Sequence, residues 1–298
     1  MSSFEERLAP YDYQLPEGQI ARYPTVRRDG ARLLCVGSEH LDHRQICDLP
    51  SLLRSGDLLV VNDTRVMAAR VACTRATGGA VEALFLEQGA DEVRALLRPS
   101  KKLRVGEVLS VGNDRISLLA KGEGGEWTVR CGRSVGEIMA AHGAMPLPPY
   151  LRRDAEEADS DRYQTIFADS PGAVAAPTAS LHLSHQVLAD LEQAGVSLAR
   201  ITLHVGIGTF RNLREDDLEQ GQLHPEWYEI PEDTVHAIQA CRARGGRVIA
   251  VGTTVTRALE TATLKNERVP KPGEGVTRLF LREGAVFQCV DGLMTNFH

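Results

Sequence analysis

Residues 172–210 read GAVAAPTASLHLSHQVLADLEQAGVSLARITLHVGIGTF, and the order of patterns in this stretch decides the fold class. From Pro171 to Ser184 the chain is small, nearly uncharged and interrupted by Pro171 and Pro177, which excludes regular helix and central strand. Ser184 is a helix-capping residue. Behind it Val187, Leu188, Leu191 and Ala194 recur at helical spacing, and Gly195 ends the run. Arg200 to Val205 then reads as a buried strand, with Gly206 and Gly208 opening a loop at its end. One α/β step is bracketed by two loops of small residues, and loops hung from rigid elements are where ligands are held. The plainer alternative is a pair of tight turns.

Downstream the same rhythm continues. A helix near 232–244, a strand at 247–251 and a helix at 254–264 alternate, as in a parallel sheet with crossover helices. Gly252 permits a tight turn after RVIAV, and Thr253 or Thr254 can cap the helix that follows, whose free N–H groups favour a negative group. Upstream, ARLLCVG and DLLVVNDTRV predict two strands, with a helical turn between Ile46 and Leu53. LLVV is apolar on both faces, which suits a strand covered on both sides. Asn62, Asp63 and Arg65 sit where it ends, as turn formers or as ligand groups.

Between these α/β segments the pattern changes. VMAARVACT, AVEALFLE, EVRALLRP, EVLSVG, RISLLAKG and EWTVRC are short runs at regular spacing with Gly-rich turns, the signature of a small antiparallel barrel. A short helix, SVGEIMAAHG, and a proline-stiffened return, MPLPPYL, follow. The expected fold class is therefore α/β: a mixed or parallel-sheet domain of residues 1–65 plus 153–298, carrying the site, with a β-barrel inserted at 66–152.

Composition narrows the function classes. Of 298 residues, 43% are hydrophobic and 25% charged, which supports a real core. The net charge of −6 argues against a protein that coats nucleic acid non-specifically, but not against a local basic patch. Six scattered cysteines with no Cys-x-x-Cys pair suit a reducing cytoplasm. No apolar run is long enough to span a bilayer. The phosphate-loop, dinucleotide-glycine and serine-hydrolase spacings are absent. His182, His185 and His204 lie in one α/β unit without a carboxylate or cysteine to complete a metal site. HPEWYEI at 224–230 is denser in chemistry: its aromatics can stack on a base, and a carboxylate beside apolar bulk can be raised into the range for acid–base work. Otherwise it is a packed strand edge with Glu226 and Glu229 in solvent. Arg98, Lys101, Lys102 and Arg104 form a basic run, and Arg152 and Arg153 a second pair; they are a solvated face or a grip on phosphates.

GAVAAPTASLH, ITLHVGIGTFR, HPEWYEIP, GGRVIAVGTTVTRALE and DGLMTNFH, preceded in order by LLVVNDTRVMAARV, ALLRPSKKL and MPLPPYLRR…DRYQTIFA, resemble the S-adenosylmethionine:tRNA ribosyltransferase-isomerase family of queuosine synthesis. The resemblance runs from about Tyr11 to His298. It implies a β-barrel inserted into an α/β domain. It further implies transfer and isomerisation of the ribosyl unit of S-adenosylmethionine onto 7-aminomethyl-7-deazaguanine at a tRNA wobble position. Epoxyqueuosine forms, while adenine and methionine leave. The sulfonium supplies the activation, so no metal or other cofactor is expected.

Matched motif positions suggest His204, Glu226 and His182 as proton-transfer groups. Asn62, Asp63, Arg65, Pro177, Thr178, Gly206, Gly208, Thr209, Tyr228, Gly252, Thr253, Thr254, Arg257, Asn296 and His298 are the expected substrate contacts. Arg98, Lys101, Lys102 and Arg104 are the expected tRNA contacts, on a cytoplasmic monomer or small homo-oligomer. TASLHLS stands where the family more often has Gly-Leu-His-Phe-Thr, and GTTVTRALE where Ser-Val-Arg is usual. The family commonly continues for a few dozen residues past TNFH, where a helix would cover an apolar face. The expectation is that further chain or a neighbouring subunit covers it here. Competing readings are a non-catalytic RNA- or nucleoside-binding relative and another S-adenosylmethionine-dependent transferase, such as a methyltransferase.

Overall fold

The computed structural model describes residues 4–37, 39–89, 92–206, 208 and 213–296. Helix α1 (Phe4–Leu8) leads through a long segment to a hairpin of β1 (Arg32–Val36) and β2 (Leu41–Gln45), then α2 (Leu49–Leu52). Strand β3 (Leu58–Asn62) is buried at every position, as its unbroken apolar run requires. A short β4 (Thr64–Val66) follows.

Next come β5 (Arg70–Arg75), β6 (Ala80–Phe85), β7 (Glu92–Arg98), β8 (Val108–Val111), β9 (Asp114–Lys121) and β10 (Glu126–Cys131). They pair in the order β5-β6-β7-β10-β9-β8, and β8 pairs back onto β5 through Thr74 and Ser110, so the antiparallel ring closes. Alternate residues point inward: Val71, Ala83, Leu97, Leu109, Ile116, Leu118, Trp127 and Val129 are all buried. Each of the larger side chains contributes roughly 1.5–3 kcal/mol by leaving water. The Trp127 indole N–H, which would be costly if orphaned, donates to Ser100 Oγ at 2.9 Å. Helix α3 (Val135–His142), capped reciprocally by Ser134 and Glu137, packs on the barrel, and β11 (Gly143–Ala144) adds to β5.

The rest of the chain, with β3, builds the second sheet. After α4 (Asp159–Arg162) and β12 (Ser170–Ala173), which pairs with β4, come α5 (His185–Gln193), β13 (Ser197–Leu203), α6 (Glu215–Gln220) and β14 (Gln222–Ile230). Then follow α7 (Glu232–Ala243), β15 (Val248–Val251), α8 (Thr253–Ala262), β16 (Gly273–Leu279) and β17 (Gly292–Met294). The strand order is β16-β14-β13-β3-β15-β17. Strands β13, β3, β15 and β17 are parallel, whereas β14 runs antiparallel to both of its neighbours, β13 and β16. The sheet is mixed, with helices on both faces: Val187 and Leu191 of α5 pack with Leu59, Val61 and Val251, and Val235, Ile238, Val255 and Leu259 of α7 and α8 pack with Val60, Ile201 and Ala250.

Ser184 does cap α5, its Oγ accepting the Val187 N–H, and Gly195 turns the chain out of the helix at φ +78°. Two segments differ from the reading of the sequence. The plainer alternative for HPEWYEI, a packed strand edge, fails, because these residues lie in an interior strand, β14, between β13 and β16. Strand β13 ends at Leu203 rather than Val205, because Val205 turns to accept the Val174 N–H. The C-terminal β17 is an edge strand near which Val286, Phe287 and Leu293 are exposed.

Candidate active site

The parallel strands β13, β3, β15 and β17 end together, and the carboxyl ends of such strands are where open α/β sheets bind ligands. A cavity of about 360 Å³ lies there. Val205 follows β13, Gly252 follows β15, and Thr295 and Asn296 follow β17. Ala176, Pro177, Thr178 and Ala179 close one wall, and Gly208, Leu213 and Asp217 another. The remainder comes from Leu223, His224, Glu226, Thr253, Thr254, Arg257, Phe280 and Leu281.

Gly252 makes the step from β15 into α8 in one residue, at φ +98°, a conformation that favours glycine. Its N–H donates to Met294 O at 2.8 Å, which ties β17 to the turn. No side chain caps α8, so the first N–H groups of a ten-residue helix stand at the cavity. Thr254 Oγ1, on the same turn, is buried without a hydrogen-bond partner.

Alternation along β14 puts His224 and Glu226 on the cavity wall and Trp227 on the other side of the strand. Glu226 is 6% exposed. Its Oε1 accepts the Gly206 N–H at 3.1 Å and its Oε2 accepts from the Arg257 guanidinium. Arg257 also donates to the carbonyls of Leu279 (2.9 Å), His224 (3.3 Å) and Thr277 (3.4 Å). A buried carboxylate persists when it is paired and fully hydrogen-bonded. The expected apolar surroundings of Glu226 are thus replaced by a guanidinium and an amide, and Glu226 fastens the Gly206 loop to α8.

His204 lies off the cavity. Its Nδ1 is 2.8 Å from Thr64 Oγ1, and its ring stacks on Trp227 with centroids 5.0 Å apart and planes at 21°. Gly172 approaches so closely that a Cβ there would lie 2.6 Å from His204 Nε2. Burial holds the imidazole pKa below its ordinary value, against the opposing charge of Asp63. Asp63 is itself pushed above the usual carboxylate range by burial, although Thr202 Oγ1 donates to it at 2.7 Å.

The other expected contacts divide. Pro177, Thr178, Gly208, Gly252, Thr253, Thr254, Arg257 and Asn296 line the cavity, whereas His182, Asn62, Asp63, Arg65, Gly206 and Tyr228 do not. Asn62, 0% exposed, is a fastener: its amide donates to Leu203 O, and its Oδ1 accepts the N–H groups of Leu203 and Thr64. Tyr228 packs in the core, where a Cβ on Gly275 would lie 2.5 Å from its hydroxyl. Arg65 is exposed and donates to Ala168 O. Thr209 and His298 fall outside the described residues. Among the described residues, no group of three or more His, Cys, Asp or Glu could hold a metal, and no helix is long and apolar enough to cross a membrane.

On the barrel, Lys101, Lys102 and Arg104 line a cleft with Arg75, Thr77, Leu103 and Glu107, and Arg98 is exposed at the end of β7. Arg75 takes up Glu107 at 2.5 Å. Sequence reasoning missed Asp217, Phe280, Leu281 and the place of His224 on the cavity wall. For His224 the signal was present, since a two-residue spacing from Glu226 puts both on one face of a strand.

A mixed α/β sheet with a cavity at its carboxyl ends, built by loops far apart in sequence, defines a ligand-binding α/β protein. The sequence narrows this. Residues 8–298 match the family model described as queuosine biosynthesis protein, and the chain belongs to that family. It is 46% identical over 305 residues to the S-adenosylmethionine:tRNA ribosyltransferase-isomerase of Synechococcus sp. (strain RCC307), covering 98% of this chain and 84% of that protein. It is 47% identical to the protein of the same name from Gloeobacter violaceus, covering 97% and 82%. Among solved structures, the S-adenosylmethionine tRNA ribosyltransferase of Thermotoga maritima is similar at 28% identity and a TM-score of 0.48, covering 97% of this chain and 84% of that one.

Proposed function

We propose that this protein is an S-adenosylmethionine:tRNA ribosyltransferase-isomerase acting in the cytoplasm. It moves the ribosyl unit of S-adenosylmethionine onto 7-aminomethyl-7-deazaguanine in tRNA, isomerises it to epoxyqueuosine and releases adenine and methionine. The observation that carries this reading is the cavity itself, on which the PTA, GTT and TN motifs converge with Gly208, His224 and Glu226 from distant parts of the chain.

The chemistry of the walls fits the ligand. Ala176, Pro177, Ala179, Val205 and Phe280 offer apolar surface to adenine and the methionine chain. The uncapped start of α8 and Thr254 Oγ1 suit the methionine carboxylate. The carboxylate of Asp217 is the charge on this wall that opposes the sulfonium, since Glu226 is held by Arg257. That sulfonium acidifies the ribose carbon bonded to it, so an ordinary protein base suffices and the reaction calls for no metal or further cofactor. The barrel run of Arg98, Lys101, Lys102 and Arg104 grips tRNA phosphates.

Chromatography of the products tests the reading. Incubation with S-adenosylmethionine and tRNA carrying the deazaguanine should release adenine and methionine in equal amounts, and neither without tRNA. S-adenosylhomocysteine as the product would assign a methyltransferase instead, and no product would leave a binding protein.

A further inference from the structure

Among the described residues, four ionisable side chains line the cavity: Asp217, His224, Glu226 and Arg257. Glu226 and Arg257 hold one another, and Arg257 spends its remaining N–H groups on backbone carbonyls. Asp217 Oδ2 accepts the Arg214 N–H at 2.8 Å and so caps α6. We propose that His224 is the proton-transfer residue of this cavity, and that Glu226, Arg257 and Gly208 position it. The assignment rests on the proposed function for the identity of the substrate.

Three features hold the imidazole in place. Strand β14 sets it on the same face as Glu226, two residues on. Arg257 donates to the His224 carbonyl at 3.3 Å, which fixes the backbone of the residue. Gly208 lies against the ring, so that a Cβ there would come within 2.8 Å of His224 Cβ and Cδ2. A larger residue at 208 would push the side chain aside. By contrast, His204 stacks on Trp227 away from the cavity.

Imidazole is the side chain that exchanges a proton most readily near neutral pH. In the reaction, a His224 ring nitrogen takes the proton from the ribose carbon bonded to sulfur, and the electron pair of the broken C–H bond stays on that carbon beside the positive charge. When the bond between sugar and adenine breaks, its electron pair leaves with adenine, the ribose ring oxygen shares a lone pair with the anomeric carbon left behind, and the imidazolium returns a proton to an adenine nitrogen. The residue ends as it began, and no oxidant or reductant enters.

The test compares H224Q, H224N and G208A with the wild-type protein. Adenine release is measured between about pH 5 and 9, with S-adenosylmethionine affinity and Tm measured alongside. Both substitutions at 224 should lower kcat about 100-fold or more, the usual scale for a general acid–base group. Affinity should stay within about threefold, and the imidazole limb of the kcat–pH profile should vanish. G208A keeps the imidazole but displaces it, so turnover should fall about tenfold with the limb retained; it carries the comparison if a substitution at 224 lowers Tm. H224Q within about threefold of wild type, or slowed with its pH profile unchanged, would overturn the assignment alone. A wild-type protein that releases no adenine would overturn the proposed function and this assignment together.

Discussion

Asp63 stands at the end of the central strand, half-buried, with a hydroxyl from Thr202 but no ion pair among the described residues. Its carboxyl binds a proton more tightly in the fold than in the unfolded chain, where the ordinary value near 3.8 holds. Stability is therefore full below that value and is lost as pH rises toward the raised one. Asp63→Asn, whose Oδ1 still accepts from Thr202, should raise Tm at pH 7 by about 1–2 °C. The gain should disappear by about pH 4. Parallel melting curves check this, and an equal gain at both pH values would contradict it. His204 has the opposite sense: it is buried as the neutral ring, so its contribution is lost as pH falls below the ordinary imidazole value near 6.5. A site that keeps a destabilising charge commonly does so for function. From the sequence, Asp63 and Asn62 look alike as polar groups at a strand end. Only the fold separates them, because Asn62 turns inward to bond Leu203 while Asp63 stays half-exposed.

Among the elements, the barrel shows how much a period-two pattern tells. Its six runs are visible because each alternates inward and outward, and the turns carry glycine. The ring closure through Thr74 and Ser110 is not visible, since no local pattern reports which strand meets which. The barrel pairs most of its surface arginines: Arg94 with Glu87 and Glu126, Arg130 with Glu92, Arg133 with Asp114 and Arg75 with Glu107. Among the described residues, no carboxylate pairs with the side chains of Lys101, Lys102 or Arg104. Cations left unneutralised on a protein of net charge −6 suit a polyanion. Lys101→Glu combined with Lys102→Glu should weaken tRNA binding and reduce the slope of log K against log salt by about 1.5–2, roughly one phosphate contact per lysine. S-adenosylmethionine affinity should not change. Unaltered tRNA affinity at low salt would show that this run is only a solvated face.

For the molecule as a whole, the α/β step at 172–210 was legible because its helix is capped and its strand is continuous. The mixed sheet was less so, because β14 carries polar residues on the cavity wall and an aromatic on its far side, which blurs the strand signal. The site inherits the same difficulty. The sequence points to its loops, yet the sheet decides which polar groups reach the cavity, turning His224 and Glu226 inward and His204 away. What sets this reaction apart is that the ribosyl carbon skeleton of S-adenosylmethionine ends on the tRNA. S-adenosylmethionine labelled in the ribose, incubated with tRNA carrying the deazaguanine, answers it when the tRNA is digested and its nucleosides are weighed. The ribose label should appear in a single modified nucleoside, one per molecule of adenine released. Label remaining entirely in small molecules, or a methyl label appearing in the tRNA instead, would contradict it.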